Sequence, residues 1–337
     1  MNRGIEVAIC THNGAGRLQA VFRALSAQTL DAGRWSVLVV DNASTDGTGE
    51  SARRSWPRAD VALRVLQEPR PGVRMARQRA LAEASRELIC FCDDDNLLAP
   101  DYLEQAVKAM EGIPLAGILG GRGEPEGELP LPEWFGAAAP GYAVGPQGEA
   151  EGRIPDSRGH VYGAGMVVRR SAWEQTIRGG FEMRLLGREG SSLTAGEDNE
   201  ICLMMLLMGW QVHYTPRLVF RHLIPARRLD EGYCRALYRG FGEAAAVLNA
   251  YRDFLLGRAT SRGWRLCAFM RLAQSWWARA VDRVLPRRKL PLSEEAIRRE
   301  IAAGFVAGCR KHFRSFRLVA LYGEIAAWLA SEAEHPS

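Results

Sequence analysis

LICFCDDD, residues 88–95, joins an uninterrupted apolar run to three consecutive carboxylates. An apolar run without polar alternation predicts a strand that is buried on both faces of a sheet. Three adjacent carboxylates repel one another unless a cation or solvent screens them. The stretch therefore predicts a buried strand that carries an acidic cluster, Asp93, Asp94 and Asp95, to the edge of a sheet.

The first part of the chain repeats this alternation of apolar runs and polar ends. Strands are predicted at residues 6–10, 37–40 and 62–66, and helices at residues 16–28, 46–55 and 73–84. Strands that alternate with helices in this way predict an α/β fold with a mostly parallel sheet. Such sheets bind ligands beyond the carboxyl ends of their strands, where Thr11, Asp41 and Asn42 follow two of the predicted strands.

The pattern is less regular after the acidic cluster. Strands are predicted at residues 165–169 and 219–222, and a helix at residues 197–208. Residues 120–159 are rich in Gly, Pro and Glu, which predicts a long loop around Trp134 and Phe135. This loop is either mobile without ligand or packed on the surface, with its aromatic side chains covering the sheet. Residues 227–337 show no strand pattern and mix arginines with large apolar residues, which predicts a helical C-terminal extension.

The composition is that of a globular protein. The 337 residues are 47% hydrophobic and carry a formal net charge of +5, which fits an anionic partner but does not identify one. No run of about 18 uncharged apolar residues and no signal-peptide pattern occurs, so a cytoplasmic protein is expected. The seven cysteines are odd in number and lie mostly in apolar runs, which predicts buried thiols and no disulfide framework.

The acidic cluster has two interpretations. Two of its three carboxylates can bind Mg²⁺ or Mn²⁺, and Mg²⁺ commonly combines carboxylates with substrate phosphates. His222, at the end of the run VFRH, would add an imidazole that suits Mn²⁺. The alternatives are a solvated acidic turn that caps the next helix and a hydrogen-bonded structural histidine.

Two further polar groups allow similar alternatives. Asp41 can accept hydrogen bonds from a base or ribose, or can belong to an ordinary turn before a helix. Glu197 and Asp198 open a strongly apolar helix, where carboxylates are stabilised by the unpaired N–H groups. A carboxylate fixed there is also suited to act as a general base toward an acceptor hydroxyl.

Taken together, five ordered segments resemble family 2 glycosyltransferases, which have the GT-A fold. The segments are VAICTHN (7–13), VLVVDNASTDGT (37–48), PGVRMARQRAL (71–81), ICFCDDDN (89–96) and AGEDNEICLMMLLMGW (195–210). The sequence departs from the family at Gln78, where Asn is common, and at His12, where an aromatic residue is frequent.

The resemblance implies roles for the candidate residues. Asp198 is the expected base with Glu197 beside it. Thr11, Asp41, Asn42, Arg77 and Asp93 are expected at the nucleotide, and Asp93 and Asp95 at the metal. Outside the resemblance, His222 is a candidate third metal ligand, and Trp134, Gly163 and Gly165 are candidate acceptor residues. The expected reaction is inverting, metal-dependent sugar transfer, with Mn²⁺ or Mg²⁺ as the cofactor. The expected donor is a nucleotide-diphosphate sugar, in the first place a UDP-sugar, and the acceptor is a hydroxyl of a glycan or lipid-linked molecule.

These assignments divide the chain into a catalytic domain, residues 1–225, and a helical extension, residues 226–337. Within the first, residues 1–115 are expected to bind the nucleotide-sugar and residues 116–225 the acceptor. Residues 264–288 mix Trp and Arg, which predicts peripheral attachment to the inner face of the cell membrane. The alternative is that these aromatics pack against the catalytic domain or a second subunit and that the arginines form a solvated face. No nucleic-acid partner is expected.

Two other functions compete with this one. A nucleotidyltransferase that makes activated sugars would share the acidic metal ligands, but NGAGR (13–17) is only a partial phosphate loop. It would also leave the Glu197–Asp198 helix unexplained. A non-catalytic module that binds membranes or nucleic acid through its basic tail would need no acidic residues at three element ends.

Overall fold

The computed structural model describes residues 4–178, 180–185, 187, 195–271, 273, 291–313 and 317–334. Within them a nine-stranded sheet forms the centre of the molecule. The strands are β1 (Ile5–Thr11), β2 (Trp35–Asn42), β3 (Leu63–Glu68), β4 (Leu88–Phe91), β5 (Asn96–Leu98), β6 (Ala116–Gly127), β7 (Gly152–Arg153), β8 (Val167–Arg169) and β9 (Gln211–Ile224).

Helices flank this sheet and form the C-terminal region. They are α1 (Leu18–Ser26), α2 (Thr48–Ser55), α3 (Val73–Glu83), α4 (Tyr102–Gly112), α5 (Phe135–Ala138), α6 (Arg170–Ile177), α7 (Glu197–Leu207), α8 (Glu231–Leu255), α9 (residues 264–271), α10 (Glu294–Phe313) and α11 (Arg317–Glu334).

The strand order is β3-β2-β1-β4-β8-β6-β9-β5, with β7 paired to β9. The first four strands are parallel, as the alternation of apolar runs and helices predicted. Strand β8 is antiparallel to both of its neighbours, and β6 and β9 are again parallel to each other. The α/β class with a mostly parallel sheet is therefore confirmed.

The register of the strands brings the polar residues to one edge. Thr11 lies opposite Asp41 at the ends of β1 and β2. The amide of Cys92 donates to the carbonyl of Ala8 over 3.0 Å, so the acidic cluster follows β4 on the same edge. A short strand that sequence analysis did not predict, β5, then pairs with β9 and sets Asn96 opposite His222.

The prediction of a loop throughout residues 120–159 was wrong at its start, because β6 continues to Gly127. Glycines hid this strand from sequence analysis, since they are rare in strands. Here they permit close approach of other backbone segments: a Cβ at Gly121 would lie 2.2 Å from the carbonyl oxygen of Leu218, and one at Gly123 would lie 1.9 Å from that of Ala143.

The described part of residues 227–337 is helical, which confirms the helical C-terminal region. Helices α8 and α10 pack with very close backbones, since a Cβ at Gly304 would lie 1.9 Å from the carbonyl oxygen of Arg239. Tyr251 of α8 and Tyr322 of α11 are buried in the same hydrophobic cluster as Ile118 of the sheet. The extension therefore shares a core with the sheet, and a domain boundary at 225/226 stays a prediction.

Two further expectations concern cysteines and membranes. All seven cysteines are present as thiols, six of them buried and Cys10 half-buried. No helix in the described part of the chain combines the length and apolarity needed to cross a bilayer. Of the segment predicted to bind membranes, residues 274–288 lie outside the described residues.

Candidate active site

A cavity opens where β1 and β4 end, and several parts of the chain line it. The acidic cluster and Arg77 come from the first half, and Glu197 and Asp198 come from the start of α7. Segments 140–143 and 158–164 also contribute, and residues of α8 from Tyr238 to Arg252 form one wall. The fold therefore joins the two carboxylate motifs of the sequence in one cavity and adds the C-terminal helix to them.

Asp94 is engaged within the fold. Its carboxylate accepts a short hydrogen bond from the hydroxyl of Thr11 and two bonds, of 3.0 and 2.7 Å, from the guanidinium of Arg17. Arg17 thus neutralises the middle member of the acidic cluster, and Thr11 adds a hydrogen bond to it. The two outer members, Asp93 and Asp95, face other partners.

Arg77 is the buried positive charge between the two carboxylate motifs. Its guanidinium lies 3.3 Å from Glu197 and 3.6 Å from Asp93, and its Nε and Nη1 have no hydrogen-bond acceptor among the described residues. Burial would lower the pKa of Arg77, but the carboxylates of Glu197, Asp93 and Asp198 outweigh burial and raise it. A buried, permanently charged guanidinium with free N–H groups is suited to an anionic ligand.

Asp93 faces Arg77. Burial and the neighbouring carboxylates of Asp95 and Asp94 raise the pKa of Asp93, while Arg77 opposes that rise. A second cation close to Asp93 would lower its pKa and relieve this repulsion.

Asp95 and His222 converge on one point. Oδ2 of Asp95 lies 3.5 Å from Nε2 of His222, whose Nδ1 is within 2.6 Å of the carbonyl oxygen of Tyr142. Because a carbonyl only accepts, Nδ1 carries a proton, and Nε2 is the ring nitrogen that could bind a metal ion. One guanidinium nitrogen of Arg228 contacts both groups, 2.8 Å from Asp95 and 3.4 Å from His222.

A carboxylate oxygen and an imidazole nitrogen that both face one cation are donors that suit Mn²⁺. The residues therefore fit a divalent ion at Asp95 and His222, the position that Arg228 now fills. The described residues contain no ready-made group of three His, Cys, Asp or Glu ligands, because Asp93 is directed toward Arg77.

Asp41 and Asn42 hold loops at the end of β2. Asp41 accepts bonds from the amides of Ser44 and Gly49. The side-chain NH₂ group of Asn42 donates to the backbone carbonyls of Glu68 and Arg70. Its side-chain carbonyl oxygen accepts a bond from the backbone N–H of Gly72. Neither residue, nor Thr11, is among those that line the cavity, so their contacts with a nucleotide stay predictions.

The side chain of Asp198 is held in place by two backbone amides. Oδ2 accepts a 2.8 Å bond from Gly163, and Oδ1 accepts a 2.8 Å bond from Asn199. Gly163 is required next to Arg77, because a Cβ there would lie 2.5 Å from a guanidinium nitrogen. Asp198 is thus a fixed carboxylate that borders the cavity, as a general base must be.

Two of the three predicted acceptor residues lie outside the cavity lining. Trp134 packs beside Phe135, with ring centroids 6.3 Å apart, in a cluster that also includes α8. Gly165 accepts a hydrogen bond from the hydroxyl of Tyr102 beneath the site. Gly163 alone of the three borders the cavity, through its contact with Asp198.

Several cavity residues were not predicted from the sequence. They are Arg17, Arg158, His160, Tyr162, Arg228 and the residues of α8. Arg228 and Asp95 are 133 positions apart, and no local pattern relates them. The available signal was the placement of arginines soon after the last strand, which is too general to identify a site.

Proteins with similar sequences include a glycosyltransferase and a polysaccharide biosynthesis protein. The chain matches the curated glycosyltransferase AglE of Haloferax volcanii at 31% identity over 32% of this chain and 36% of that protein. It matches the succinoglycan biosynthesis protein ExoM of Rhizobium meliloti at 21% identity over 66% of this chain and 68% of that protein. The match thus spans about a third of the length of the first relative.

Solved structures show the same fold. A fragment of S. aureus TarS in complex with UDP-GlcNAc superposes with a TM-score of 0.54 at 15% identity, covering 93% of this chain and 92% of that one. The mannosyltransferase PcManGT from Pyrobaculum calidifontis, in complex with GDP-Man and Mn²⁺, gives 0.51 at 20% identity, covering 97% and 86%. The overall architecture is therefore the GT-A fold.

The sequence profile described as Glycosyl transferase family 2 matches residues 6–176, slightly more than half of the chain, and includes the strand ends that form the acidic edge. The chain belongs to glycosyl transferase family 2.

Proposed function

We propose that this glycosyltransferase moves a sugar from a nucleotide-diphosphate sugar to an acceptor hydroxyl with inversion of configuration. The observation that carries the proposal is that one cavity is lined by Asp93, Asp95 and Arg77 and also by the fixed carboxylate of Asp198. The diphosphate of the donor needs positive charge, from Arg77 and a metal ion held by the aspartates, and the acceptor hydroxyl needs a base. These two kinds of group must lie within one sugar's length of each other.

In the proposed step, Asp198 takes the proton from the acceptor hydroxyl. The acceptor oxygen forms a bond to the anomeric carbon as the bond from that carbon to the diphosphate oxygen breaks, and its electron pair leaves with the diphosphate. Attack from the face opposite the leaving group inverts the configuration. General base catalysis of this kind contributes about 10²–10⁴-fold in rate.

Arg77 supports the departing diphosphate in this scheme. Its buried guanidinium has two nitrogens without hydrogen-bond acceptors among the described residues, so it can bind phosphate oxygens without breaking an existing hydrogen bond at those atoms. When bound at Asp95 and His222, a divalent ion would neutralise charge that develops on the diphosphate. The donor set of one carboxylate and one imidazole favours Mn²⁺.

The relatives support a sugar nucleotide as the donor and a glycan as the product. One structural neighbour, TarS, was solved in complex with UDP-GlcNAc, and another, PcManGT, with GDP-Man and Mn²⁺. Among the sequence relatives, one acts in succinoglycan biosynthesis and another is described as a putative teichuronic acid glycosyltransferase of Bacillus subtilis. We propose a UDP-sugar as the first donor to test and a glycan or lipid-linked acceptor.

The test is a donor screen. Purified protein is incubated with UDP-, GDP-, CMP- and dTDP-sugars in Mn²⁺, and release of nucleotide is followed, with NMR of the product to read its anomeric configuration. Cleavage of one nucleotide class, with an inverted product, is expected. Release of inorganic diphosphate from a sugar phosphate and a nucleoside triphosphate, with no cleavage of any donor, would favour the nucleotidyltransferase instead.

We also propose that α9 attaches the enzyme to a membrane surface. Leu266, Phe269 and Met270 are 67%, 67% and 48% exposed on this helix, close in sequence to the exposed Arg262 and Arg265. Exposed apolar side chains next to arginines are typical of helices that lie in the interface of anionic lipids.

A further inference from the structure

Among the described residues, two arginines of the cavity have no carboxylate partner. Arg158 and Arg252 both line the cavity and are half-buried, and neither forms an ion pair with any of those residues. By contrast, Arg17, Arg77 and Arg228 in the same cavity each lie within 3.3 Å of a carboxylate oxygen. Within the described part of the chain, the cavity therefore has one region where charges are balanced and one where positive charge is left over.

The two unpaired guanidinium groups lie in one neighbourhood. Nε of Arg158 donates to the carbonyl of His160 over 3.4 Å, and Nδ1 of His160 lies 2.6 Å from the carbonyl of Arg158. His160 is also close enough to Arg252 and to Asp198 for both charges to act on its ring. The excess positive charge is thus located beside the predicted base, where the acceptor must approach.

An unpaired charge in a half-buried position costs free energy that a bound anion would recover. Burial lowers the pKa of Arg252, which shows that its charged form is poorly solvated. Burial, reinforced by Arg252, also lowers the pKa of His160 to about 4, so its ring is neutral at physiological pH and does not compete for the anion. Guanidinium groups bind phosphate through paired N–H donors.

The wall next to Arg252 is apolar. Phe241, Ala244, Ala245 and Leu248 of α8 line the cavity on the helix that carries Arg252. This combination of two cations and an apolar helix face fits a molecule with a phosphate at one point and an apolar surface, such as a chain or a sugar-ring face, beside it.

We propose that the acceptor carries a phosphate group, which Arg252 and Arg158 bind beside Asp198. This inference rests on the proposed glycosyl transfer, because it assigns the acceptor of that reaction. The shared chemistry is a phosphate ester near the attacking hydroxyl, and its source is either a lipid-linked phosphate or a water-soluble phosphorylated glycan.

A binding experiment tests the site without catalysis. Inorganic phosphate is titrated into the full chain and into Arg252→Gln and Arg23→Gln, with binding followed by calorimetry in EDTA. Arg23 of α1 is exposed and outside the cavity, so its variant removes the same charge as a matched control. We expect Arg252→Gln to weaken phosphate binding by about 10-fold or more, and Arg23→Gln to bind as the wild type does.

A transfer experiment then assigns the anion to the acceptor. With the donor found in the screen, a sugar and its phosphorylated form are compared as acceptors, together with a polyisoprenyl-phosphate acceptor in detergent. We expect the phosphorylated forms to be preferred by about 10-fold in kcat/KM, and Arg252→Gln to remove this preference by raising the acceptor KM. Preference for the polyisoprenyl form over the soluble one identifies the lipid source.

The outcomes separate the two proposals. Equal phosphate binding by Arg252→Gln and Arg23→Gln, or equal use of neutral and phosphorylated acceptors, overturns the phosphate site while donor cleavage upholds glycosyl transfer. Arg252-dependent phosphate binding with no donor cleaved overturns glycosyl transfer and leaves the anion site in place. A rise in donor KM in Arg252→Gln, with acceptor KM unchanged, places the arginine at the donor and overturns the acceptor assignment.

Discussion

Arg228 donates a 2.8 Å hydrogen bond to Asp95, and the same guanidinium nitrogen lies 3.4 Å from Nε2 of His222. The predicted metal ligand thus already has a cation as its partner. A divalent ion bound to this oxygen of Asp95 would displace Arg228, and the displaced guanidinium would then be available to the phosphates of the donor. At the proposed metal site, the ion and the arginine would therefore compete for one carboxylate oxygen.

This competition predicts the effect of removing Arg228. Arg228→Ala should tighten binding of Mn²⁺ to the protein without nucleotide, because no cation then has to leave Asp95. Mn²⁺ affinity is measured by calorimetry or by the EPR signal of free Mn²⁺. The neighbouring Arg227 is exposed, and Arg227→Ala serves as the control. Equal or weaker Mn²⁺ binding by Arg228→Ala contradicts the competition.

Asp95→Asn tests the metal site itself. This substitution should abolish transfer and weaken donor binding only when metal is present, because it removes the proposed ligand and keeps the shape of the side chain. Donor binding is compared with Mn²⁺ and with EDTA. Near-normal turnover of Asp95→Asn, or full wild-type activity in excess EDTA, would rule out a required metal at this residue.

Asp198→Asn should keep donor affinity and reduce turnover by about 10²-fold or more, because an amide cannot accept the proton of the acceptor hydroxyl. Steady-state kinetics and donor titration measure the two effects separately. Glu174→Gln changes an exposed carboxylate of α6 in the same way and should be silent. If Asp198→Asn lost donor affinity, the residue would belong to the nucleotide site.

His160 predicts a dependence of stability on pH. Its pKa is lowered from 6.5 to about 4, chiefly by burial, so the unfolded chain binds the proton more readily between these values. Above pH 6.5 the ring is neutral in both the folded and the unfolded chain, and the protein keeps its full stability. As the pH falls toward 4, the unfolded chain takes up the proton first, and the free energy of unfolding falls by up to about 3 kcal/mol. Urea unfolding at several pH values should show a flatter profile for His160→Gln. Identical profiles would contradict the burial of a neutral ring.

The contact between α8 and α10 predicts a large effect of one methyl group. Gly304→Ala should lower the free energy of unfolding by about 1–3 kcal/mol, because the new Cβ meets the backbone of Arg239, even though alanine favours a helix. Gly112→Ala is the matched control, since a Cβ there would contact nothing within 4 Å. Urea unfolding measures both, and equal stability of the two variants would show that the helices separate easily.

Membrane attachment is tested by flotation with anionic liposomes at low salt, where screening is weakest. The wild type should float, and the double variant Leu266→Asp with Phe269→Asp should not. Leu129 is 54% exposed elsewhere, and Leu129→Asp should float as the wild type does. A wild-type protein that stays at the bottom of the gradient would leave no support for attachment through α9.

The parts predicted well from sequence are those that local patterns encode. Apolar runs that end in Thr11, Asp41 and Asp93 predicted parallel strands, and parallel strands must bring these ends to one edge. The start of α7 was predicted because Glu197 and Asp198 precede a continuous apolar helix. In each case a few neighbouring residues determine both the element and the polar group at its end.

The parts that were missed depend on contacts between distant residues. The part of β6 within residues 120–127 was predicted as a loop because it is rich in glycine. The glycines are needed there because the backbones of Leu218 and Ala143 lie against the strand, a tertiary contact that the sequence alone does not reveal. The cavity wall of α8 follows from tertiary packing in the same way. A pattern of helical arginines cannot tell which of them, such as Arg252, faces a site.

The position of α8 has a consequence for how this enzyme can change its substrate. Strand ends from the first half of the chain supply the acidic edge, whereas one continuous helix, α8, supplies the apolar wall from Phe241 to Leu248 and Arg252. On the proposed assignment of this wall to the acceptor, mutations within that helix would alter what is glycosylated while the residues proposed to cleave the sugar nucleotide stay untouched. Exchange of this helix between homologues would then offer protein engineers a route to new acceptors with the same donor.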